Sequence, residues 1–493
     1  MDLDGYSRRA EAFTSELARE HYRRFAGLTD DDDIAAVYDR HAELFAPAQI
    51  DELRSGPSRR RQALLRFAVE GHLTHATTGL EAELWHREAL ATVEVSRPGS
   101  AGGRDMRMGY RDAATAQATE DDPERRAELD EARRAVAREQ LAPLAAEALA
   151  RRRELTAQLG WPSYRALYEQ TTGVDLEALS TQADVLLRDG EQPYRAAVDA
   201  LARDVLPEGL PGLRRADLPW LLGREPPGHR FAAGGLVAAL HATLSDLGID
   251  ARDQRGLVLD VARRRGKSPR AFCVAVRVPE EVYLVVPPRG GREDYFALLH
   301  EAGHAQHFAG TDPGLPFESR RLGDPAVGEA FAFLFEGLVG QPRWLRRHLG
   351  LADDGELARH AAARRTILLR RYAAKLGYEL QLHGEPALPP AALGEAYSAR
   401  LSAALGLAWP TDTWLTDVDP GLYAASYLRA WALEDGLRRA LCEHLGEDWF
   451  EQERAGSLLG GLWRQGQRLS AEELLDRVQP GARLDLARLA GAT

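Results

Sequence analysis

Apolar positions recur at helical spacing along most of the chain. The first stretches to show it are Ser7–Phe25, Ile34–Glu43, Ser58–Phe67 and Glu81–Ala89, broken at Gly27-Leu-Thr-Asp30 and Gly56-Pro57-Ser58. Residues 98–121 lose the period, are rich in Gly and Asp, and read as irregular. A long amphipathic helix is predicted over Pro123–Leu159, closed by Gly160, and Ser163 is placed to cap the next one. Leu176–Leu206 continues the helical pattern. Pro207-Glu-Gly-Leu-Pro-Gly212 then reads as a hinge between an N-terminal helical region, 1–206, and a second region, 213–493, the two forming one bilobed unit.

After the helix Phe231–Leu247 the period changes to two. Leu257–Val261, Ala271–Val278 and Val282–Val286 are short β-rich runs, and a small sheet is expected. Pro287 and Pro288 after the last run suit an edge strand. Beyond Gly340 the pattern is helical again, over Pro342–Leu349, Gly355–Tyr378 and Leu388–Leu405, so the expected class is mainly α with one small sheet.

Composition narrows the partners. The chain has 493 residues, is 44% hydrophobic and carries a formal net charge of −12, which argues against nucleic acid. Its acids are scattered rather than blocked, as on an ordinary solvated surface. Cys273 and Cys442 are the only cysteines, so no disulfide framework is expected and a reducing compartment, the cytoplasm, is. The N-terminus lacks the basic start and apolar stretch of a secretory signal, and no run is long and apolar enough to predict a membrane span.

The chemistry is concentrated at His300-Glu301-Ala302-Gly303-His304. Two histidines four apart share one helix face and can grip one metal ion, with the intervening Glu near the ion's open position as a general base. Glu293 and Asp294 suit the start of this helix and Gly310 its end. A third ligand is sought in Asp324-Pro325-Ala-Val-Gly-Glu329-Ala-Phe-Ala-Phe-Leu-Phe-Glu336. Asp324 is a good N-cap and Pro325 a good first residue. Glu329 lies in an apolar run, where an isolated carboxylate is costly to bury and a metal ligand is not. Glu336 falls on roughly the same face and can buttress a ligating histidine. His72, His75 and His86 have no carboxylate or thiol set with them and read as structural.

These motifs resemble the thimet oligopeptidase and oligoendopeptidase F family of zinc peptidases. The resemblance extends upstream to Leu257–Cys273, with its strand, basic turn and Ala271-Phe272-Cys273, and to His307 in the form H-E-x-G-H-x-x-H. It implies two helical halves around a deep channel, one zinc ion held by His300, His304 and Glu329, and Glu301 as base. Short peptides are the implied substrates; nothing in the sequence chooses between monomer and homodimer. Hydrolysis also needs a donor for the charge that develops on the carbonyl oxygen. Tyr423-Ala-Ala-Ser-Tyr427-Leu-Arg429-Ala-Trp431 resembles the family's tyrosine-rich segment, with Ala430 where its last Tyr sits. Tyr427 is the first choice for that donor, Tyr423 the second, and Arg429 a helper. An exposed sheet edge beside the metal would accept an extended peptide as an added strand. Two alternatives stay open: a carboxypeptidase of the same build, for which the many arginines offer no unique carboxylate reader, and a peptide-binding homologue without activity, against which the intact Glu301 argues.

Overall fold

Asp2 opens the first helix, α1 (Leu3–Phe25), its carboxylate accepting from the amides of Asp4 at 3.1 Å and Gly5 at 2.9 Å. Tyr6, Ala10 and Phe13 form its buried face, and Phe13 meets the rings of Tyr38, Phe45 and Phe67 edge-on at 4.9–5.8 Å. The computed structural model describes residues 1–29, 33–56, 58–96, 105–224, 231–250, 253–351 and 355–491. Among them the fold is mainly α, with one two-stranded and one three-stranded sheet, and no helix is long and apolar enough to cross a membrane. Contacts group the chain into two compact units that interleave along it. One holds Met1–His72, Glu225–Ala361 and Ser426–Leu489; the other holds Leu73–Arg224, Ala362–Ala425 and Ala490–Thr493.

In the first unit the three predicted β-runs become β1 (Leu257–Asp260), β2 (Phe272–Arg277) and β3 (Glu281–Val285), in the order β1–β3–β2. β1 runs parallel to β3 and β2 antiparallel to it. The expectation that the proline-terminated run is an edge strand is therefore corrected: β3 is central. Pro287 and Pro288 lie beyond its last residue, Val285, so no ladder hydrogen bond is lost. The link from β1 to β2 is pinned by Lys267, whose Nζ donates to the Asp260 carbonyl at 2.8 Å and to that of Val286 at 3.2 Å. Tyr22 of α1 stacks on Tyr283 of β3 at 3.8 Å. Val274 pairs with Tyr283, so strand alternation turns the neighbouring Cys273 to the opposite face.

Against the sheet packs α2 (Arg292–Ala309), and against α2 packs α3 (Pro325–Glu336). The approach of these two helices depends on Gly303. A Cβ there would stand 2.5 Å from the Phe331 carbonyl oxygen and 2.6 Å from the Ala332 Cα, so only glycine fits. The first unit also contains most of α4 (Tyr423–Leu445) and all of α5 (Ala471–Val478), which opens with a Ser470–Glu473 capping box.

The second unit corrects the reading of 98–121. Residues 97–104 lie outside the described residues, but Asp105–Gly109 is a strand paired with Thr92–Ser96, and Tyr110–Thr119 is a helix. Met106 and Met108 pack with Val93, Val95 and Ala113, a small core that the polar flanks of this stretch conceal. The long predicted helix is continuous from Pro123 to Gln158, apart from a π turn at Ala137–Leu141, just before Pro143, whose missing N–H interrupts the regular ladder. Ser163 caps as predicted, accepting from the Ala166 amide at 3.2 Å. The larger core of this unit joins Tyr194, Val198, Leu210, Trp220, Tyr378 and Tyr397.

Arg370 and Arg371 reach further in than a solvated charge pair would. Arg370 is buried and donates to the carbonyls of Ala404 and Leu187 as well as to Glu191, and Arg371 pairs with Asp417. Lys375 is also buried and donates to Asp419 at 2.7 Å. One turn on, burial pushes the Glu379 carboxyl up to about 8, with Lys375 opposing and Asp419 adding to the shift. Unfolding returns this carboxyl to its ordinary range. Below that range both states hold the proton. As pH rises toward 8 the folded chain keeps a proton that the unfolded chain releases, so stability falls across that window. Glu379→Gln should flatten this loss: its urea midpoint should drop less between about pH 5 and about pH 8 than that of the parent. Equal drops would show that Glu379 is ionised in the folded chain throughout.

Candidate metal centre

His300 and His304 lie one turn apart on α2, their rings 5.1 Å apart, and both face Glu329 on the second turn of α3. His300 Nε2 is 3.4 Å and His304 Nε2 3.6 Å from Glu329 Oε2. One donor atom from each lies within 4.8 Å of the others, and this is the set of three among the described residues that could hold a metal ion. The spacing suits zinc. Ligands at roughly 2.0–2.1 Å in a tetrahedron stand roughly 3.3–3.4 Å from one another. Two imidazole nitrogens and one carboxylate oxygen are also a donor set typical of hydrolytic zinc sites, with a fourth position left open.

Helix caps set these positions. The Asp324 carboxylate accepts from the Ala326 amide at 3.0 Å and starts α3, which places Glu329 one turn in and buried. Glu336 lies at the end of α3, and its Oε2 is 2.8 Å from His300 Nδ1. A carboxylate on Nδ1 fixes the imidazole so that Nε2 is the nitrogen offered to a metal. Burial alone would lower the His300 imidazolium, yet Glu329 and Glu336 outweigh it and raise His300 well above its usual value. Burial alone would raise the Glu329 carboxyl, and the two imidazoles hold it below the usual carboxylate range instead.

Glu301 projects toward β2, where the Cys273 amide donates to its Oε2 at 2.9 Å. Burial raises this carboxyl above its ordinary value, with His304 and His300 opposing. A half-buried carboxylate held by one backbone N–H, between two histidines that could ligate a metal, is a candidate general base. No side-chain pattern announces the Cys273 contact, because the donor is backbone and its partner is set by how the sheet lies on α2.

His307 is fully buried, and its Nε2 lies 3.0 Å from the Gly466 carbonyl oxygen. That contact places it outside the ligand set and ties α2 to the chain beyond Trp463. His72 Nδ1 lies 2.9 Å from the Phe45 carbonyl oxygen, in keeping with a structural role. Tyr427 joins a ring cluster that reaches His300, one of the candidate ligands: its ring is 5.8 Å from Phe333, which stacks on Trp431 at 4.6 Å and stands 5.3 Å from His300. Tyr423 begins α4 and belongs to the second unit. Arg429 is buried and engaged on all sides: it donates to both oxygens of Asp324 at 3.0 and 2.6 Å and to both oxygens of Glu472 at 2.9 and 2.7 Å. It is a clamp between helices, and the role of oxyanion helper expected from sequence is withdrawn for it. Compared with protein-family models and with curated proteins, the chain finds no match.

Proposed function

We propose that this chain is a zinc-dependent peptidase acting on short peptides, with the chemistry of the thimet oligopeptidase and oligoendopeptidase F family that its motifs resemble. The observation that carries the reading is the convergence of His300, His304 and Glu329 with Glu301 fixed beside them. When bound, zinc supplies Lewis acidity toward the peptide carbonyl and toward water. The protein residues do the rest. Glu336 orients His300. Glu301 removes a proton from the attacking water and returns it to the leaving amine. Tyr427 is the proposed donor to the carbonyl oxygen and Tyr423 the second choice. Both cysteines are free thiols, which supports a cytoplasmic setting.

Metal analysis together with hydrolysis of a mixed short-peptide pool tests this. About one zinc per chain is expected. Chelation should abolish turnover and zinc should restore it, and the thermal midpoint should fall on chelation because the ion binds only the folded chain. Turnover that survives metal removal, or a chain that binds no zinc, would end the reading. Internal cuts would favour an endopeptidase; stepwise trimming from the C-terminus would favour the carboxypeptidase alternative.

A further inference from the structure

Gly328 stands inside α3, one residue before Glu329, and nothing around it demands a glycine. Its backbone is ordinary helix, and a Cβ there would meet its nearest neighbour at 3.6 Å, a normal contact. Gly303 differs, since a Cβ on it would clash with α3. Glycine within a helix is unfavourable relative to alanine, so Gly328 leaves room that a methyl group could fill at a gain. Three polar atoms border that room. His304 Nδ1 lies 3.6 Å, His307 Nδ1 3.7 Å and Gln467 Nε2 3.9 Å from the position a Cβ would take.

The three atoms are complementary. His307 Nε2 lies 3.0 Å from the Gly466 carbonyl oxygen, which only accepts, so this nitrogen carries the ring proton. Burial keeps the ring neutral, lowering its imidazolium to about 4. Nδ1 is therefore a bare acceptor, and it is buried with no hydrogen-bond partner among the described residues. His304 turns Nε2 to Glu329, so its Nδ1 carries the proton when the ring ligates through Nε2. The matching nitrogen of His300 has Glu336, whereas no described residue takes the proton of His304 Nδ1. Gln467 Oε1 accepts from the Gly323 amide at 3.1 Å, which makes its other terminal atom, Nε2, a second donor. Two donors and one acceptor around one space are the partners that a buried water takes.

We infer that one ordered water beside Gly328 accepts from His304 Nδ1 and donates to His307 Nδ1, so that His307 is a positioning residue for the second zinc histidine. This rests on the zinc-peptidase reading and adds to it how His304 is oriented. Glu336 does for His300 directly what His307 does for His304 through water. A partner on Nδ1 fixes the ring and its tautomer, and Nε2 stays aimed at the metal position.

Zinc affinity, read on the full chain by competition with a chelating dye, tests the assignment without any need for turnover. Gly328→Ala puts a methyl group into the water's space without a clash and favours the helix. Its metal-free thermal midpoint should therefore not fall, while zinc should bind about tenfold to a hundredfold more weakly. His307→Gln can keep the bond to Gly466 but offers no acceptor at the δ position, and the same loss of zinc affinity is expected. His307→Asn keeps an acceptor there and gives up the bond to Gly466, so its midpoint should fall while its zinc affinity stays near the parent's. Undiminished zinc affinity in Gly328→Ala and His307→Gln overturns the assignment, as does an affinity that simply tracks the thermal midpoint across the three variants. A crystal structure of the metal-free parent should show the water within about 2.7–3.2 Å of both histidine nitrogens. No water there refutes the bridge, whether or not the chain binds zinc. A chain that shows the water and takes up no zinc supports the bridge and counts against the peptidase reading alone.

Discussion

Glu301→Gln should leave zinc bound and reduce peptide turnover by about 10²–10⁴-fold, the usual contribution of a positioned general base. The replacement is nearly isosteric. A Gln oxygen can still accept from the Cys273 amide, so the side chain stays in place and the three ligands are untouched. What is lost is the capacity to take a proton. Steady-state kcat/KM on a cleaved peptide, with zinc measured on the same sample, decides the point. Zinc retained with turnover lost supports the assigned role. Turnover retained would show that the base lies elsewhere, and zinc lost along with turnover would make Glu301 part of the metal site itself.

The reach of the sequence is clearest in this site. The spacing of His300 and His304 is local information, because four residues is one helical turn and the helix itself is readable. Glu329 and Glu336 are legible for a different reason: each is a carboxylate in an apolar helix, and such a group needs a partner. Caps are equally local, and Asp324, Ser163 and Asp2 each act as their residue type and position allow. All three β-runs also appear where the period of two places them, to within a residue or so.

What stays hidden is non-local. The order β1–β3–β2 depends on a parallel pairing between strands separated by all of β2, and proline placement alone suggested the wrong edge. The strand Asp105–Gly109 has two methionines as its apolar content and lies among glycines, so its pairing with Thr92–Ser96 overrides a weak local signal. Arg370, Arg371 and Arg429 show how long cationic side chains mislead. Sequence gives their charge, whereas burial depends on whether carbonyls and carboxylates from distant segments converge on them.

Arg429→Met should destabilise the chain by about 3–5 kcal/mol, the range for removing one partner of a buried ion pair. Methionine approximates the volume but leaves the half-buried Asp324 carboxylate without its cation. Asp324 cannot simply be replaced to compensate, because it also accepts from the Ala326 amide that starts α3 and from the Ala471 amide that starts α5, each at 3.0 Å. Its carboxylate therefore joins three helices, and one of them carries Glu329. The sign of the pH dependence follows. Burial would raise the Asp324 carboxyl, but Arg429 outweighs it and holds it below its ordinary value. Its contribution is thus full above that ordinary value and is lost as pH falls through the folded one. Arg429→Met should shift the urea midpoint sharply at neutral pH and by less in acid, and should weaken zinc binding because the start of α3 is no longer fixed. A variant that keeps its midpoint and its zinc but loses turnover would return Arg429 to the catalytic role that the four hydrogen bonds now argue against.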